Sequence, residues 1–523
     1  LNKNLLRNLI TVNIIKSHLL LTACLVPFSV APAEPELLDD RYRLTLFAES
    51  PDLSTPIGCA IDGKGRVLVI ESHTHFRPDG YIGPKEDRIL AFSDTDGDGK
   101  ADNKEIYFEG GAHTMSITPG GSDTFYVATR SEVFRLKDEN KDGKADSRET
   151  LVTLKTTGQY PHNGLCGLAL TSDHSKLYFG LGENLGKPYE IISQTGAKEI
   201  TSMKGGGEGG NIYSYDLLTG LLVRIATGFW NPFGICLTPE GRMFCVDNDP
   251  DARPQNRLLN IIPGGDYGYQ YRYGRSGTHP LQAWNGELPG TLPMICGTGE
   301  AACSVIPHGK KLWVTSWANG RIEEYTLRRD GSNYTATMKT IIKGGPDFRP
   351  VCFAHAEDGS VYFTDWVNAS YQLHGKGRLW KLTPVNEKTP KPGLTGALLE
   401  EVTRKTIKAE YLKAINNDRF ALATAFWQMA QSGNTQGPQW HTLSENARIA
   451  MLTASNWKEQ PTQEMLTRAL GDPSGNVRIV AVRIIADKNI VFFKDKLNDM
   501  LPSTARDSQL YQTLAAALKE LGD

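Results

Sequence analysis

Residues 56–72 read PIGCAIDGKGRVLVIES. An apolar run is followed by a polar Asp-Gly-Lys-Gly turn and then a β-branched run, the pattern of an antiparallel hairpin. The unit returns at 112–130 (AHTMSITPGGSDTFYVATR), 162–183 (HNGLCGLALTSDHSKLYFGLGE), 231–249 (NPFGICLTPEGRMFCVDND), 301–317 (AACSVIPHGKKLWVTSW) and 349–366 (RPVCFAHAEDGSVYFTDW). A second hairpin follows most copies, as in RILAF with EIYF and GNIYSY with LLVRIA. Four strands per unit, recurring every roughly 50–70 residues, mark a propeller blade. Six copies predict a mainly β chain with a six-bladed β-propeller over residues 34–385. A pair of β-sandwiches would not produce six copies of one hairpin.

Beyond Pro390 glycine thins out and helical periodicity takes over. Residues 398–415 and 420–429 read as amphipathic helices. Asp472-Pro473-Ser474-Gly475-Asn476-Val477-Arg478, followed by Ala481-Val482, resembles the start of a HEAT-type helix. Residues 386–523 are therefore expected to form a small α-helical, HEAT-like domain behind a linker at 384–392. A short helical stack more often docks or packs than catalyses, so a protein partner is expected there.

The 523 residues carry 57 Lys and Arg against 59 Asp and Glu, a net charge of -2. That balance, with no basic run, argues against a nucleic-acid partner. Lys3, Arg7 and Lys16 precede an apolar stretch at 19–30 and a small-x-small site, Ala31-Pro32-Ala33, so residues 1–33 read as a signal peptide. Leu21-Thr22-Ala23-Cys24 also reads as a lipobox, with Cys24 as a lipid anchor. Either way the mature chain is expected outside the cytoplasm, periplasmic or at the cell surface. Of eight cysteines, Cys296 and Cys303 are the best candidate disulfide, and Cys59, Cys236, Cys245 and Cys352 read as buried thiols.

Two stretches carry metal chemistry. Asp94, Asp96, Asp98, Lys100, Asp102 and Glu105 fit positions 1, 3, 5, 7, 9 and 12 of a calcium loop, with Gly99 at the turn. Asp138, Asn140, Asp142, Lys144, Asp146 and Glu149 repeat the fit, with Gly143 at the turn. Lys100 and Lys144 would offer backbone carbonyls. Both loops join β-strands, so they read as structural staples on blades one and two and not as sensor hands.

Propellers gather function where loops meet the axial channel. Positions before the innermost strands give His113, His162, Asn231 and Arg349. The ends of the second strands add His73, His75, Arg130, Glu183, Asn184, Asp247, Asp249, Trp317, Asp365 and Trp366. Convergent polar groups with aromatic walls suit a polar organic ligand. Each also has a structural reading, as turn partner or packing between blades.

On these motifs the propeller resembles the soluble quinoprotein glucose/sorbosone dehydrogenase family. More closely it resembles the PVC-type membrane-bound dehydrogenase domain, a propeller followed by HEAT-like repeats. The resemblance spans nearly the whole mature chain. His162-Asn163-Gly164-Leu165 stands where the family has its general base. Trp230-Asn231-Pro232 matches the R-N-P segment, with tryptophan in place of arginine. Asp247-Asn248-Asp249-Pro250 matches the acidic calcium segment, with Asp in place of Gly. Asp266-Tyr267-Gly268-Tyr269 matches N-Y-G-W, and Arg349-Pro350-Val351 matches R-x-V.

The resemblance implies oxidation of a sugar, polyol or related alcohol with pyrroloquinoline quinone (PQQ) and calcium. His162 and Asn231 would be catalytic, and Arg349, Trp230, Asp247, Asp249 and Tyr267 would hold the cofactor. No C-x-x-C-H occurs, so electrons would leave to an external acceptor such as a cytochrome. Two other readings stand beside it. One is a non-catalytic, calcium-stabilised propeller that binds glycans or protein partners. The other is hydrolysis at a channel metal held by His73, His75 and Asp365.

Overall fold

The computed structural model describes residues 34–385 except 122, 159, 161, 195–201, 251, 252 and 254, and then 415, 417–431, 439–458 and 461–522. The signal peptide expected at 1–33, with Cys24, most of the expected linker and nearly all of the helix expected at 398–415 lie outside the described residues.

Six sheets form the propeller, antiparallel throughout except for one short parallel pair at the edge of blade three, Leu222–Phe229 with Gly265–Asp266. Their innermost strands are Pro56–Ile61, Thr114–Gly121, Leu165–Leu170, Asn231–Leu237, Ala302–His308 and Pro350–His355. Each packs against the innermost strand of the next blade, and the last packs against the first, so the ring closes. These strands are the openings of the six repeated hairpins. The chain seals the ring near its start: Tyr42–Glu49 is the outermost strand of the sixth blade, pairing antiparallel with Arg378–Pro384 (Leu44 opposite Leu382). Glu36–Leu37 adds an edge to the fifth blade against Asn333–Lys343.

The β-branched runs read from sequence become second strands with both faces covered by neighbouring blades. Val67, Leu68, Val69 and Ile70 are all 0% exposed. Burying each stabilises the ring by about 1.5–3 kcal/mol. A second register runs through the blades. In four of the six blades an acidic or hydroxylic residue at, or one before, the end of the second strand faces an arginine on the third: Glu71 opposite Arg88, Asp247 opposite Arg257, Ser316 opposite Arg321, Asp365 opposite Arg378.

Six α-helices follow among the described residues: α1 (Arg419–Gln431), α2 (Glu445–Lys458), α3 (Gln463–Leu470), α4 (Gly475–Asp487), α5 (Lys494–Met500) and α6 (Gln509–Glu520). Thr462, Ser474 and Ser508 cap α3, α4 and α6 by accepting from Met465, Val477 and Tyr511 N–H groups. Helices α2 to α6 share one apolar cluster with Tyr273, Leu281, Ala283 and Leu288 of the excursion that follows the third strand of blade four, and α1 packs in a separate cluster with α2. Polar contacts close the same seam: Arg483 to Asp266 at 2.7 Å and Tyr273 Oη to Asp487 Oδ1 at 2.5 Å. Propeller and helices accordingly form one compact unit. Among the described residues no helix is long and apolar enough to cross a membrane.

One expectation is corrected. Cys296 and Cys303 are both free thiols, as are the other five described cysteines. Cys296 packs with the cluster of Phe244 and Val246, whereas Cys303 packs with the cluster of Ile57 and Ile117, so the two sulfurs serve different blade interfaces.

Candidate functional site

Three histidines converge at one mouth of the channel. The His75 ring centroid lies 5.7 Å from that of His162 and 6.2 Å from that of His113. Trp366 stands 6.1 Å from His75. Tyr371 covers His162 at 4.7 Å and stacks on Trp317 at 5.1 Å with the planes 15° apart. Tyr160 meets His162 edge-on at 4.5 Å. Below this aromatic roof lies a cavity of about 90 Å³, whose lining includes His75, His162, Asn231, Asn248, Trp317 and Trp366.

The backbone that aims these groups is strained. Thr55, His113 and Ala301 each directly precede an innermost strand and have φ of +44°, +55° and +52°. L residues rarely adopt that region, and such strain persists only where surrounding contacts impose it. Asn231 ties two blades: its Nδ2 donates to the His162 carbonyl at 3.0 Å, and its backbone N–H donates to Asp247 Oδ1 at 2.8 Å. Gly182 leaves room for this amide, since a Cβ there would stand 2.8 Å from Asn231 Oδ1.

Burial sets the charge of the mouth. It pulls the His162 imidazole down to about 4, and burial with the charges of His162, His113 and Arg130 pulls His75 down to about 3. Burial also lowers His113. All three are neutral at pH 7. Among the described residues no carboxylate pairs with Arg130 or Arg349, and Arg349 Nε is buried without a partner. Arg349 NH1 donates to the Phe348 carbonyl at 2.6 Å, and its guanidinium carbon lies 5.7 Å from the Trp317 ring centroid. His75 Nδ1, Asn231 Oδ1 and Asn248 Oδ1 are also buried without partners. The mouth cavity therefore presents flat aromatic walls and open acceptors; Arg130 acts on His75 and His113 by its charge and Arg349 packs on Trp317, but neither lines the cavity.

The other sequence-chosen residues sit elsewhere. His73 is engaged on both nitrogens, by Glu71 at 2.8 Å and Tyr81 at 2.6 Å. Asp365 is 0% exposed and binds Arg378 and Trp380 Nε1. The metal triad of His73, His75 and Asp365 is thus not assembled. Asp247 closes on Arg257, and both side chains are fully buried. Tyr267 donates its hydroxyl to the Asn260 carbonyl at 2.5 Å. Trp230 stacks on Tyr271 at 6.2 Å in a cluster with Tyr269 and Trp284. None of Asp247, Trp230 and Tyr267 lines the mouth cavity. Asp249 is half-buried, and its N–H donates to Asn256 Oδ1 at 3.3 Å. Glu183 is 2% exposed, and burial raises its carboxyl to about 7. Tyr160 and Tyr371 escaped the sequence reading because they stand in loops, where strand periodicity carries no signal.

The two acidic loops share one geometry. Asp94 accepts from Gly97 and Gly99 N–H groups, and Asp138 accepts from Gly143 N–H at 2.9 Å. Gly99 and Gly143 have φ of +89° and +99°, as the sharp turn requires. Asp94, Asp96 and Asp98 bring oxygens within 4.8 Å of one another. Asp138 Oδ1 is buried without a partner. The eighth residue of each loop donates its N–H to an outermost strand of the preceding blade: Ala101 to the Phe47 carbonyl at 2.8 Å, Ala145 to the Tyr107 carbonyl at 2.9 Å. The loops thus bridge blades six and one, and one and two. Asn140, Asp142 and Asp146 hold the second loop by hydrogen bonds, with Lys144 N–H on Asp142. In the first, Asp102 accepts from Thr95 and Lys100 N–H donates to Asp98. Glu105 and Glu149 point to Arg66 and Arg135.

Residues 37–268 match a family described as a domain of unknown function, DUF7133. No curated protein matches the chain. Among solved structures it is similar to a Trichoderma reesei carbohydrate-active enzyme of family AA12, at 16% identity and TM-score 0.50, over 68% of this chain and 98% of that one. A calcium structure of family AA12 from the same organism gives 14% identity and TM-score 0.50 over the same shares. The PQQ-bound aldose sugar dehydrogenase of Streptomyces coelicolor gives 17% identity and TM-score 0.45, over 68% and 99%. The likeness is one of fold.

Proposed function

We propose that the chain is an exported, quinoprotein-like dehydrogenase that oxidises a sugar or related alcohol at the His162 mouth, with PQQ as cofactor and calcium in the two blade-bridging loops. The observation that carries this reading is a neutral, buried imidazole among aromatic walls and unpaired acceptors, with Arg130 acting on neighbouring His75 and Arg349 packed on Trp317. A flat tricarboxylate fits that donor set. Arg349 and Arg130 would pair with its carboxylates, Trp317 and Tyr371 would face its rings, and Asn231 and Asn248 would bond its polar edge. When bound, the quinone supplies the two-electron acceptor. His162 Nε2 or Nδ1 accepts the substrate hydroxyl proton, which a neutral imidazole can do at pH 7. Asn231 fixes the His162 backbone and so the ring's approach. Among the described residues no carboxylate lines the mouth, so the calcium assignment rests on Asp94, Asp96, Asp98 and Asp102 and on Asp138, Asn140, Asp142 and Asp146.

A cavity of about 90 Å³ is smaller than the roughly 300 Å³ of ordinary ligand pockets. A tricyclic ligand is therefore admitted only when Tyr371 leaves Trp317. That closed roof favours the second reading, a calcium-stapled propeller that binds a glycan or protein partner without chemistry, with the helices as a docking surface.

Titration of the purified chain with PQQ, followed by dye reduction over a sugar panel, separates the two. Saturable binding that His162→Ala leaves intact while abolishing turnover, and that Arg349→Ala weakens, supports the dehydrogenase. Failure of PQQ to bind with calcium present removes it and leaves the binding module.

A further inference from the structure

A second cavity, of about 270 Å³, lies between the outer edge of blade two, blade three, the excursion of blade four and helices α2 and α4. Its walls carry five cations, Lys204, Arg224, Arg272, Arg483 and Lys488, and three carboxylates, Glu208, Asp266 and Asp487. The pairing is more lopsided than the count. Asp487 accepts from two neutral donors, Tyr273 Oη at 2.5 Å and Gln270 Nε2 at 2.9 Å, and stands 4.0 Å from Arg483 Nε. Glu208 accepts from Tyr189 Oη and from Gly206 N–H, both at 2.5 Å, and stands 3.5 Å from Arg224. Asp266 alone among the three forms a hydrogen-bonded ion pair, with Arg483 at 2.7 Å. Arg272 donates to two carbonyls, of Gly207 and Asp487.

Among the described residues no carboxylate pairs with Lys204 or Lys488. Arg224 Nε, Arg483 Nε, Thr227 Oγ1 and Asn456 Oδ1 are buried without hydrogen-bond partners, and Arg483 is only 6% exposed. The Arg224 guanidinium lies over the Trp457 ring at 5.3 Å. Desolvated cations and orphaned hydroxyl and amide groups are costly unless something pairs with them.

We propose that this seam binds a small hydroxylated oxyanion, a phosphorylated or sulfated monosaccharide. Guanidinium and ammonium groups from the outer edge of blade two, blade three, the excursion, and α4 with its C-cap surround the oxyanion. Thr227 and Asn456 suit sugar hydroxyls, and Trp457 offers an apolar face. The site is separate from the His162 mouth and does not depend on the dehydrogenase reading. Because propeller and helices both wall it, the ligand also ties them together.

The test is calorimetric titration of the full chain at low salt with glucose 6-phosphate, inorganic phosphate, sulfate and glucose. Glucose 6-phosphate is expected to bind saturably and more tightly than inorganic phosphate or sulfate, with glucose alone silent. Arg224→Gln, and separately Lys204→Ala with Lys488→Ala at exposed positions, are expected to weaken binding about tenfold or more, while Arg349→Ala at the channel leaves it unchanged. The lysine pair keeps the test valid where Arg224→Gln does not fold. No saturable binding at about 10 mM glucose 6-phosphate, or binding abolished by Arg349→Ala and spared by the lysine changes, overturns the proposal. Equal affinity for inorganic phosphate overturns the sugar assignment.

Discussion

Replacing Asp247 tests whether a residue chosen for chemistry acts as a strut. Arg257 is 0% exposed and depends on Asp247 for its charge balance, with Nε at 3.0 Å and NH2 at 2.5 Å from Oδ2. Its remaining hydrogens go to the carbonyls of Tyr267, Trp284 and Gly228, and its guanidinium carbon lies 3.6 Å from the Trp284 ring centroid. Asp247→Ala leaves that cation buried and uncompensated, which costs about 3–5 kcal/mol. With an unfolding entropy of about 2.1 cal/mol/K per residue over roughly 350 propeller residues, the loss lowers Tm by about 4–7 °C. Scanning calorimetry on the cofactor-free chain reads it directly. Asp247→Leu with Arg257→Met, which removes both charges, should recover most of the loss. A cofactor-free Tm within about 1 °C of wild type for Asp247→Ala would refute the strut assignment and point to a ligand-facing carboxylate.

Other expectations follow from the same contacts. Calcium at about 100 times its Kd should stabilise the chain by about 2.7 kcal/mol per loop, seen as a Tm difference between calcium and chelator that Asp94→Ala and Asp138→Ala each reduce; identical melting in both buffers removes calcium from the loops. His75 and His308 are 5% and 2% exposed, with pKa values pulled to about 3 and about 4 mainly by burial. Their folded values lie below the unfolded value near 6.5, so the unfolded chain binds more protons below that pH, and stability is full above 6.5 and falls towards 4. The loss approaches about 1.4 kcal/mol per pH unit for each, measurable by denaturant unfolding at pH 7, 6 and 5, and His308→Phe should flatten part of the slope. Tyr371→Ala should open the mouth and speed PQQ association without lowering Tm by more than about 1 °C, and an unchanged association rate shows that the tyrosine is no barrier.

The ring itself was legible because a propeller repeats. Each of the six hairpins read from residues 56–366 became an innermost strand and its neighbour, and the β-branched runs became the strands buried on both faces. Closure by Tyr42–Glu49 was not legible, since a strand that pairs with the far end of the chain carries no local sign of its partner. The cysteine pair failed for a related reason: closeness in sequence does not tell which blade interface each sulfur enters.

The site was legible only to within one residue, and strand geometry explains why. At the end of each second strand successive side chains alternate between the blade interior and the channel. Asp247 turns to Arg257 while Asn248 lines the cavity; Asp365 turns to Arg378 while Trp366 lines it; Ser316 bonds the Glu300 carbonyl while Trp317 lines it. A sequence reading that selects the strand end collects both kinds together, and charge then misleads, because the carboxylates are the residues that hold the arginines of the third strands. What lines the mouth is aromatic, amide and imidazole, and Arg130 and Arg349 stand outside that lining. The uncharged mouth is therefore a product of register: the fold uses acids to fasten the blades and leaves the cavity lined by aromatic, amide and imidazole groups.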